Sequence, residues 1–484
     1  MASLLGEQTT GPIFGNRALH ERRGDRLRRA RSDPGQLMIR LVAFLLLVTS
    51  VQMAAPPPGQ NPPAAGLIEL ARRNPGSAEF RASLSKNFAE SDLKAGKAVA
   101  GYGPDFLWAI ESATRPELLV DAAAGPAMSQ IPATDLWFAL GQMKTGTSHS
   151  FFYTVQGARI GGRTDVPAYG PDSYPQAGVP QGKLSEKLLH TSKIYDGMQS
   201  EYWIYVPAQY DSRVAAALMV FQDGASYIKR DSDGIRVLDV LDNLIYQKKI
   251  PMMIGVFISP GDISGAPNGK TYEFVKAFSA STGRTLKDSM RSVEYDTVSD
   301  RYARFLRDEI IAEVRSKYNI RRDAYSRAIT GLSSGGICAF NVAWQQPDQF
   351  SRVLSWIGSF ASIQWQPGVV DGGNVYPNKV RKEPKRNIRV WLQDGSEDLE
   401  NQHGSWPLQN IQLANSLKLR DYDFHFSFGH GTHNPAHGSA EFPEELAWLW
   451  RDYDPSETQQ NYEMDPAEKA KALFRVTVYN RDTE

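Results

Sequence analysis

The sequence predicts an α/β domain with a largely parallel central sheet, preceded by a small β-sandwich. Two observations carry this. From about residue 186 to 455, apolar runs alternate with helical stretches: "EYWIYVP", "ALMVFQDG", "MMIGVFISP", "SRAITG", "RVLSWIGS", "IRVWLQDG" and "YDFHFSFG". Continuous apolar strands of this kind belong to a sheet covered on both faces, and their alternation with helices implies parallel crossovers. Before them, residues 101–170 hold short runs ("DFLWAIES", "LLVDAA", "DLWFALG", "HSFFYTV") punctuated by Gly, Pro and Asp, the pattern of a small two-sheet unit.

Taken in order, the chain of 484 residues opens with an arginine-rich segment, 1–37, that has no apolar period. "MIRLVAFLLLVTSVQMAAPPPGQNPP" follows. A methionine and an arginine precede an apolar run that ends in small residues, the layout of a secretory signal peptide. The run is shorter than the ~20 residues that span a bilayer. We therefore expect Met38 to be the true start, 1–37 to be an upstream extension, 38–55 to be a signal peptide and 56–66 a Pro-rich linker, with a single-pass anchor as the alternative. The expected location is periplasmic or secreted, in a bacterium, with no stable membrane insertion after cleavage. Residues 67–100 read as polar helices, so the N-terminal domain is expected over 67–170. A Pro/Gly-rich linker is expected over 171–185, the α/β domain over 186–455 and a tail without clear signal over 456–484. Within the α/β domain one helix is explicit: Tyr302, Phe305, Leu306, Ile310, Val314 and Tyr318 recur at helical spacing over 299–318, with Ser299 as a cap.

Composition excludes some classes. With 54 basic against 54 acidic residues, the chain lacks the basic excess of a nucleic-acid binder. A single cysteine, Cys338, forbids an intrachain disulfide and a cysteine-based zinc site, and its place in an apolar helix pattern reads as core.

In open α/β sheets, function gathers at the carboxyl ends of the strands. There "AITGLSSGGICAF" contains Gly331-Leu332-Ser333-Ser334-Gly335, a G-x-S-x-G element between a strand and a helix. A sharp turn at that place lifts the Ser333 hydroxyl above the sheet edge, and its flanking glycines let strand and helix pack. Ser334 does not fit the pattern, because Leu332 stands two residues before it. The Ser334 backbone N–H, however, opens the helix and can bind a developing oxyanion. The alternative is a glycine-rich turn with a capping serine.

A serine hydroxyl needs a base, and the base needs orienting. In α/β-hydrolases the chain order is nucleophile, acid, histidine. Five of the eight histidines lie between 403 and 437. The preferred acid is Asp398, with Asp394 and Glu397 as lesser candidates. The preferred histidine is His433 among His430, His433 and His437, with His425 inside a strand. A zinc site built from those three loop histidines is the rival reading, without an H-E-x-x-H pattern to support it. The second oxyanion donor is expected in the loop after "LMVFQ": the N–H of Ala225, or failing that Gly224.

The blocks "GLSSGGICAF", "VWLQDGSEDLENQHGSWPL" and "FGHGTHNPAHGSAEFPEELAWLWRDY", with the earlier blocks "EYWIYVPAQYD", "MVFQDGASY" and "RSVEYDTVSDRYARFLRDEI", resemble the enterochelin-esterase-like branch of the esterase D superfamily, over about 186–453. "PATDLWFALGQMKTGTSHSFFYTV" resembles the immunoglobulin-like N-terminal domain of enterochelin esterases, and glycogen-binding-type modules ahead of some feruloyl esterases. The resemblance implies an α/β-hydrolase preceded by an immunoglobulin-like β-sandwich, with Ser333 as nucleophile, Asp398 as acid and His433 as base. It implies a serine carboxylic-ester hydrolase that needs no metal or organic cofactor and acts on a small-molecule or polysaccharide-linked ester. Export departs from the enterochelin esterases of the cytoplasm, so a feruloyl or acetyl xylan esterase is the enzymatic alternative and a non-catalytic carbohydrate-binding protein the alternative of another class. Arg291, Glu294 and Tyr295, before the explicit helix, and His403, Trp406 and His437, in the later loops, are candidate substrate contacts. The alternatives for them are an ordinary ion pair, a packed tyrosine, core cover and a brace for the histidine loop.

Overall fold

The computed structural model describes residues 63–230, 234–265 and 272–476. The expected upstream extension, the signal peptide, most of the Pro-rich linker and residues 477–484 lie outside the described residues. Among the described residues no helix is long and apolar enough to cross a membrane.

The N-terminal block opens with helices Pro63–Arg73, Ala78–Asn87 and Glu90–Lys94. The second is capped by Ser77, whose hydroxyl accepts the N–H of Phe80 at 3.0 Å. Two four-stranded antiparallel sheets follow. One orders Ala98–Tyr102, Asp105–Glu111, Leu136–Gln142 and Ser129–Gln130, and the other Ala123–Ala124, Glu117–Val120, Thr147–Val155 and Ala158–Ala168. Strand alternation explains the layering. Phe106, Trp108 and Ile110 point into a core shared with Leu118, Phe151 and Tyr153 of the other sheet. Leu107 and Ala109 point the opposite way, onto Leu67, Phe80 and Leu84 of the helices. The strand Ala158–Ala168 was not expected: Gly161 and Gly162, both at positive φ, interrupt its pattern and shift its register. Residues 171–185, expected as a linker, are docked. Asn243 donates to the carbonyls of Asp172 (2.8 Å) and Tyr174 (2.7 Å).

The α/β domain is built on strands β1 (Leu188–Thr191), β2 (Gln199–Val206), β3 (Ala217–Gln222), β4 (Met253–Ile258), β5 (Arg327–Leu332), β6 (Arg352–Trp356), β7 (Arg389–Glu397) and β8 (Asp423–Thr432). Their spatial order is β1-β2-β4-β3-β5-β6-β7-β8, with Lys183–Leu184 pairing beside β2. The first two pairings are antiparallel, and every pairing from β4 to β8 is parallel. Both faces are covered. Leu218 and Val220 of β3 belong to one apolar cluster, and Ala217, Met219 and Phe221 to the other. The helices used below are α1 (Val237–Tyr246), α2 (Leu286–Tyr295), α3 (Ser334–Gln345), α4 (Trp406–Leu419) and α5 (Ala436–Leu449).

The helix expected over 299–318 is present, but a π-helical turn at Leu306–Ile310 divides it into Arg301–Phe305 and Ile311–Lys317. Ser299 accepts the N–H of Arg301 at a long 3.4 Å. Cys338 is fully buried in α3, and burial pushes its thiol well above the usual range. The tail from 456 lies against the domain: Asn387 donates to the carbonyl of Gln460 at 2.7 Å, and the Tyr462 ring sits 4.9 Å from the Arg389 guanidinium.

Candidate active site

Parallel strands β3, β5, β6, β7 and β8 bring their carboxyl ends to one edge of the sheet. At the end of β5, Ser333 turns with φ 58° and ψ −122°, a strained conformation for a residue with a side chain. The glycines around it are required by contact. A Cβ on Gly331 would lie 2.4 Å from the backbone of Gly335, and one on Gly335 would lie 3.0 Å from Asp223 Oδ2 and 3.1 Å from Gln222 Cβ. The turn is tied to β6 by the Ser333 N–H, which donates to the carbonyl of Trp356 at 2.9 Å.

His433 follows the end of β8. Its Nε2 lies 2.8 Å from Ser333 Oγ, and its Nδ1 lies 2.6 Å from Asp398 Oδ1. Asp398 follows the end of β7 and is reached because β7 and β8 come unusually close. A Cβ on Gly395 would lie 2.2 Å from the carbonyl oxygen of Gly431. Burial alone would raise the Asp398 carboxyl. The hydrogen bonds from His433 and Asp394, the charge of His433 and the N–H of Leu399 outweigh it, and the group lies below its ordinary range. Its side chain is fully buried, whereas the His433 side chain is 23% exposed, so the ring and not the acid faces the open side. Asp394, four residues earlier, is buried within β7 itself. Burial first, then its hydrogen bond with Asp398, holds it well above the carboxylate range. Glu397 is exposed, opposite Thr432 in the strand register.

The structure brings in residues that sequence reasoning missed. Ser359, after β6, places its hydroxyl 3.2 Å from Ser333 Oγ. Asp165, in the strand Ala158–Ala168 of the N-terminal block, accepts the N–H of Thr432 at 3.1 Å and its hydroxyl as well. The N-terminal block therefore holds the residue next to His433. Nothing in the string "GGRTDVPA" marks that contact, which spans 267 positions.

Ser334 is the first residue of α3, whose opening N–H groups have no intrahelical partner. Ala225 lies in the short 3₁₀ turn Gly224–Ser226 and is exposed. Gly224 packs so closely that a Cβ would lie 2.2 Å from the backbone of Phe257. Asp223, at φ 58°, starts this turn and is clamped by α2. Arg291 donates to both of its carboxylate oxygens at 2.7 Å, and the Asp223 N–H donates to Tyr295 Oη at 3.3 Å. The turn is thus braced by Arg291 and Tyr295.

Several proposed substrate contacts are placed differently. Glu294 is buried and accepts the N–H of Gly261 at 2.7 Å; burial raises its carboxyl to about 8. Tyr295 is fully buried, and the Arg291 guanidinium is spent on Asp223. Trp406 is 2% exposed: its indole N–H donates to Ser359 Oγ at 3.0 Å and its ring stands edge-on to His433 at 5.9 Å, so no ring face is open for stacking. His437 is buried between Gln393 (3.2 Å) and Glu441 (2.9 Å) and braces β7 and β8 against α5. His403 is half-buried; burial, then Arg284, draws its pKa down. His430 contacts Ser396 at 3.3 Å, and His425 stacks on Trp391 at 3.9 Å. With His433 on Ser333 and Asp398, the three loop histidines have separate partners. Among the described residues no group of three or more His, Cys, Asp or Glu is placed to hold a metal ion.

A hydroxyl, an imidazole and a carboxylate in series, beside a helix N-terminus, can pass a proton and stabilise a developing oxyanion. The sheet order and the turn at Ser333 define the class of the domain, an α/β-hydrolase. Residues 197–449, more than half of the chain, match the model of the esterase family described as "Putative esterase". The chain belongs to that family and is a carboxylic ester hydrolase. No curated protein matches it. Among solved structures, it is similar to the enterobactin esterase of Shigella flexneri crystallised in the presence of enterobactin (16% identity, 78% of this chain and 99% of that one, TM-score 0.46). It is also similar to the ferric enterobactin esterase of Salmonella typhimurium (14%, 72% and 93%, 0.45) and to a ferulic acid esterase of the anaerobic fungus Anaeromyces mucronatus (16%, 58% and 95%, 0.41).

Proposed function

We propose that the protein is an exported serine esterase that works through Ser333, His433 and Asp398. The observation that carries this reading is the continuous chain of contacts, 2.6 Å from Asp398 to His433 and 2.8 Å from His433 to Ser333, at the strained turn. Ser333 Oγ attacks the ester carbonyl as His433 Nε2 takes its proton. Asp398 keeps the remaining ring proton on Nδ1 and stabilises the imidazolium. The N–H groups of Ser334 and Ala225 hold the oxyanion. The imidazolium returns its proton to the leaving alcohol, and water, activated by the same ring, releases the acid. These steps use no metal or organic cofactor.

The substrate class is an ester of the enterochelin or hydroxycinnamoyl type. The motif blocks of the sequence support it, and export fits a substrate met outside the cytoplasm. The N-terminal block is proposed to be immunoglobulin-like. A hydrolysis screen over aryl, feruloyl, acetyl-sugar and catecholate-lactone esters tests the reading, with Ser333→Ala as control. Hydrolysis of one class, abolished in the variant, supports it. Undiminished hydrolysis by Ser333→Ala overturns it.

A further inference from the structure

Two carboxyls close the end of β7, and the reaction above uses one. Asp398 Oδ1 accepts His433 Nδ1–H at 2.6 Å and the N–H of Leu399 at 2.5 Å. Its Oδ2 is sealed from solvent and meets no N–H or hydroxyl donor. Asp394 shows the same asymmetry. Its Oδ1 accepts the N–H of Gly395 at 2.8 Å, while its Oδ2 is sealed and meets no such donor. The turn between them, closed by the Asp398 N–H on the carbonyl of Gly395 at 3.2 Å, folds Asp398 back over Asp394, and each carboxyl stands among the groups that shift the other.

An ionised carboxylate only accepts, so two of them cannot share that enclosure without a proton between them. Charge decides which keeps it. Asp398 faces the imidazole and the Leu399 N–H, which favour its anion. Asp394 is wholly buried and faces Asp398, the Gly395 N–H and the side chain of Asn410 in α4, whose Nδ2 donates instead to the carbonyls of Gly358 (2.9 Å) and Trp406 (3.0 Å). The proton therefore rests on Asp394, in keeping with the opposite directions in which the two groups are shifted.

We propose that Asp394 is a positioning residue that remains protonated, its carboxyl O–H donating to Asp398 Oδ2 and so fixing the rotation in which Oδ1 meets His433. It touches neither substrate nor Ser333, and it acts only through Asp398. The inference rests on the esterase reading above. Without this donor, a dry carboxylate oxygen is left unpaired, the carboxylate is free to turn, and its basicity rises.

The test uses the full chain with p-nitrophenyl acetate, following kcat/KM between pH 5 and 9 for wild type, Asp394→Asn, Asp394→Ala, Asp398→Asn and Ser333→Ala. Asparagine offers an N–H where the carboxylic O–H stood. Asp394→Asn should therefore stay within about threefold of wild type with an unmoved acid limb, whereas Asp398→Asn should lose about 10⁴-fold. Asp394→Ala should lose about ten- to a hundredfold, in kcat rather than KM, and its acid limb should move up by about half to one pH unit. The infrared difference spectrum of wild type minus Asp394→Asn should show a protonated carboxyl C=O band, a readout that holds even if the alanine variant does not fold. The proposal is overturned if Asp394→Asn falls as far as Asp398→Asn, if folded Asp394→Ala matches wild type in rate and pH profile, or if the band is missing. Loss of the esterase reading has a different signature, a Ser333→Ala variant that retains wild-type activity.

Discussion

Replacing Asp165 with alanine removes a contact between the N-terminal block and the loop that carries His433. The carboxylate takes both the N–H and the hydroxyl of Thr432, the residue immediately before His433. A hydrogen bond to a charged acceptor contributes about 1.5–3 kcal/mol when well shielded. Asp165 is half-exposed, so a combined value of about 2 kcal/mol for the pair is appropriate. If all of it serves to align the loop, kcat/KM falls by at most about thirtyfold, since each 1.4 kcal/mol is a factor of ten. Asp165→Asn keeps one acceptor oxygen and should lose about three- to fivefold. Thr432→Val removes only the hydroxyl. Combined with Asp165→Ala it should cost less than the product of the two single effects, because they share a bond. The assay is kcat/KM on p-nitrophenyl acetate beside the thermal midpoint of each variant. Wild-type kcat/KM in Asp165→Ala, with the fold intact, would refute the idea that the N-terminal block positions the histidine.

Three other outcomes are expected. Gly395→Ala places a Cβ within 2.2 Å of the Gly431 carbonyl oxygen, backbone against backbone, so it should lose about 2–3 kcal/mol of stability by urea titration together with most activity; a wild-type urea midpoint would contradict the close approach. Glu294, raised to about 8 by burial, must take up a proton on folding at any pH between the ordinary carboxyl range and about 8. Its contribution is complete below the unfolded pKa and is lost as pH rises, by up to about 1.4 kcal/mol per unit. Glu294→Gln should therefore gain on wild type between pH 5 and pH 8, and parallel stability curves would contradict the shift. Ser333→Ala and His433→Ala should each lower kcat by several orders of magnitude and the double variant little further, whereas multiplicative losses would mean that the two do not act as a unit.

Much of the fold was legible because the strands of the α/β domain are buried on both faces and so read as unbroken apolar runs, as in Ala217–Gln222 and Met253–Ile258. Ser333 stood out for a local reason: the turn excludes side chains at Gly331 and Gly335, and that exclusion is written in the residues themselves. What depended on distant contact was not legible. The strand Ala158–Ala168 is disguised by its paired glycines, and with it the role of Asp165. Trp406 reads alike whether its ring faces a ligand or, as found, is sealed against His433 and Ser359. Arg291, Glu294 and Tyr295 follow one another on a helix whose inward face could not be known before the Asp223 turn and Gly261 were seen to meet it. Asp394 and Asp398 differ by one loop turn, and only the course of that turn separates the carboxyl that meets the ring from the one behind it.

The central claim is that Ser333 is the nucleophile. Intact-mass and peptide analysis after reaction with a fluorophosphonate tests it most directly. One adduct per chain, on the peptide that contains Ser333 and absent from Ser333→Ala and His433→Ala, is the predicted result. An adduct at another residue, or an unlabelled wild type that still hydrolyses esters, would contradict it.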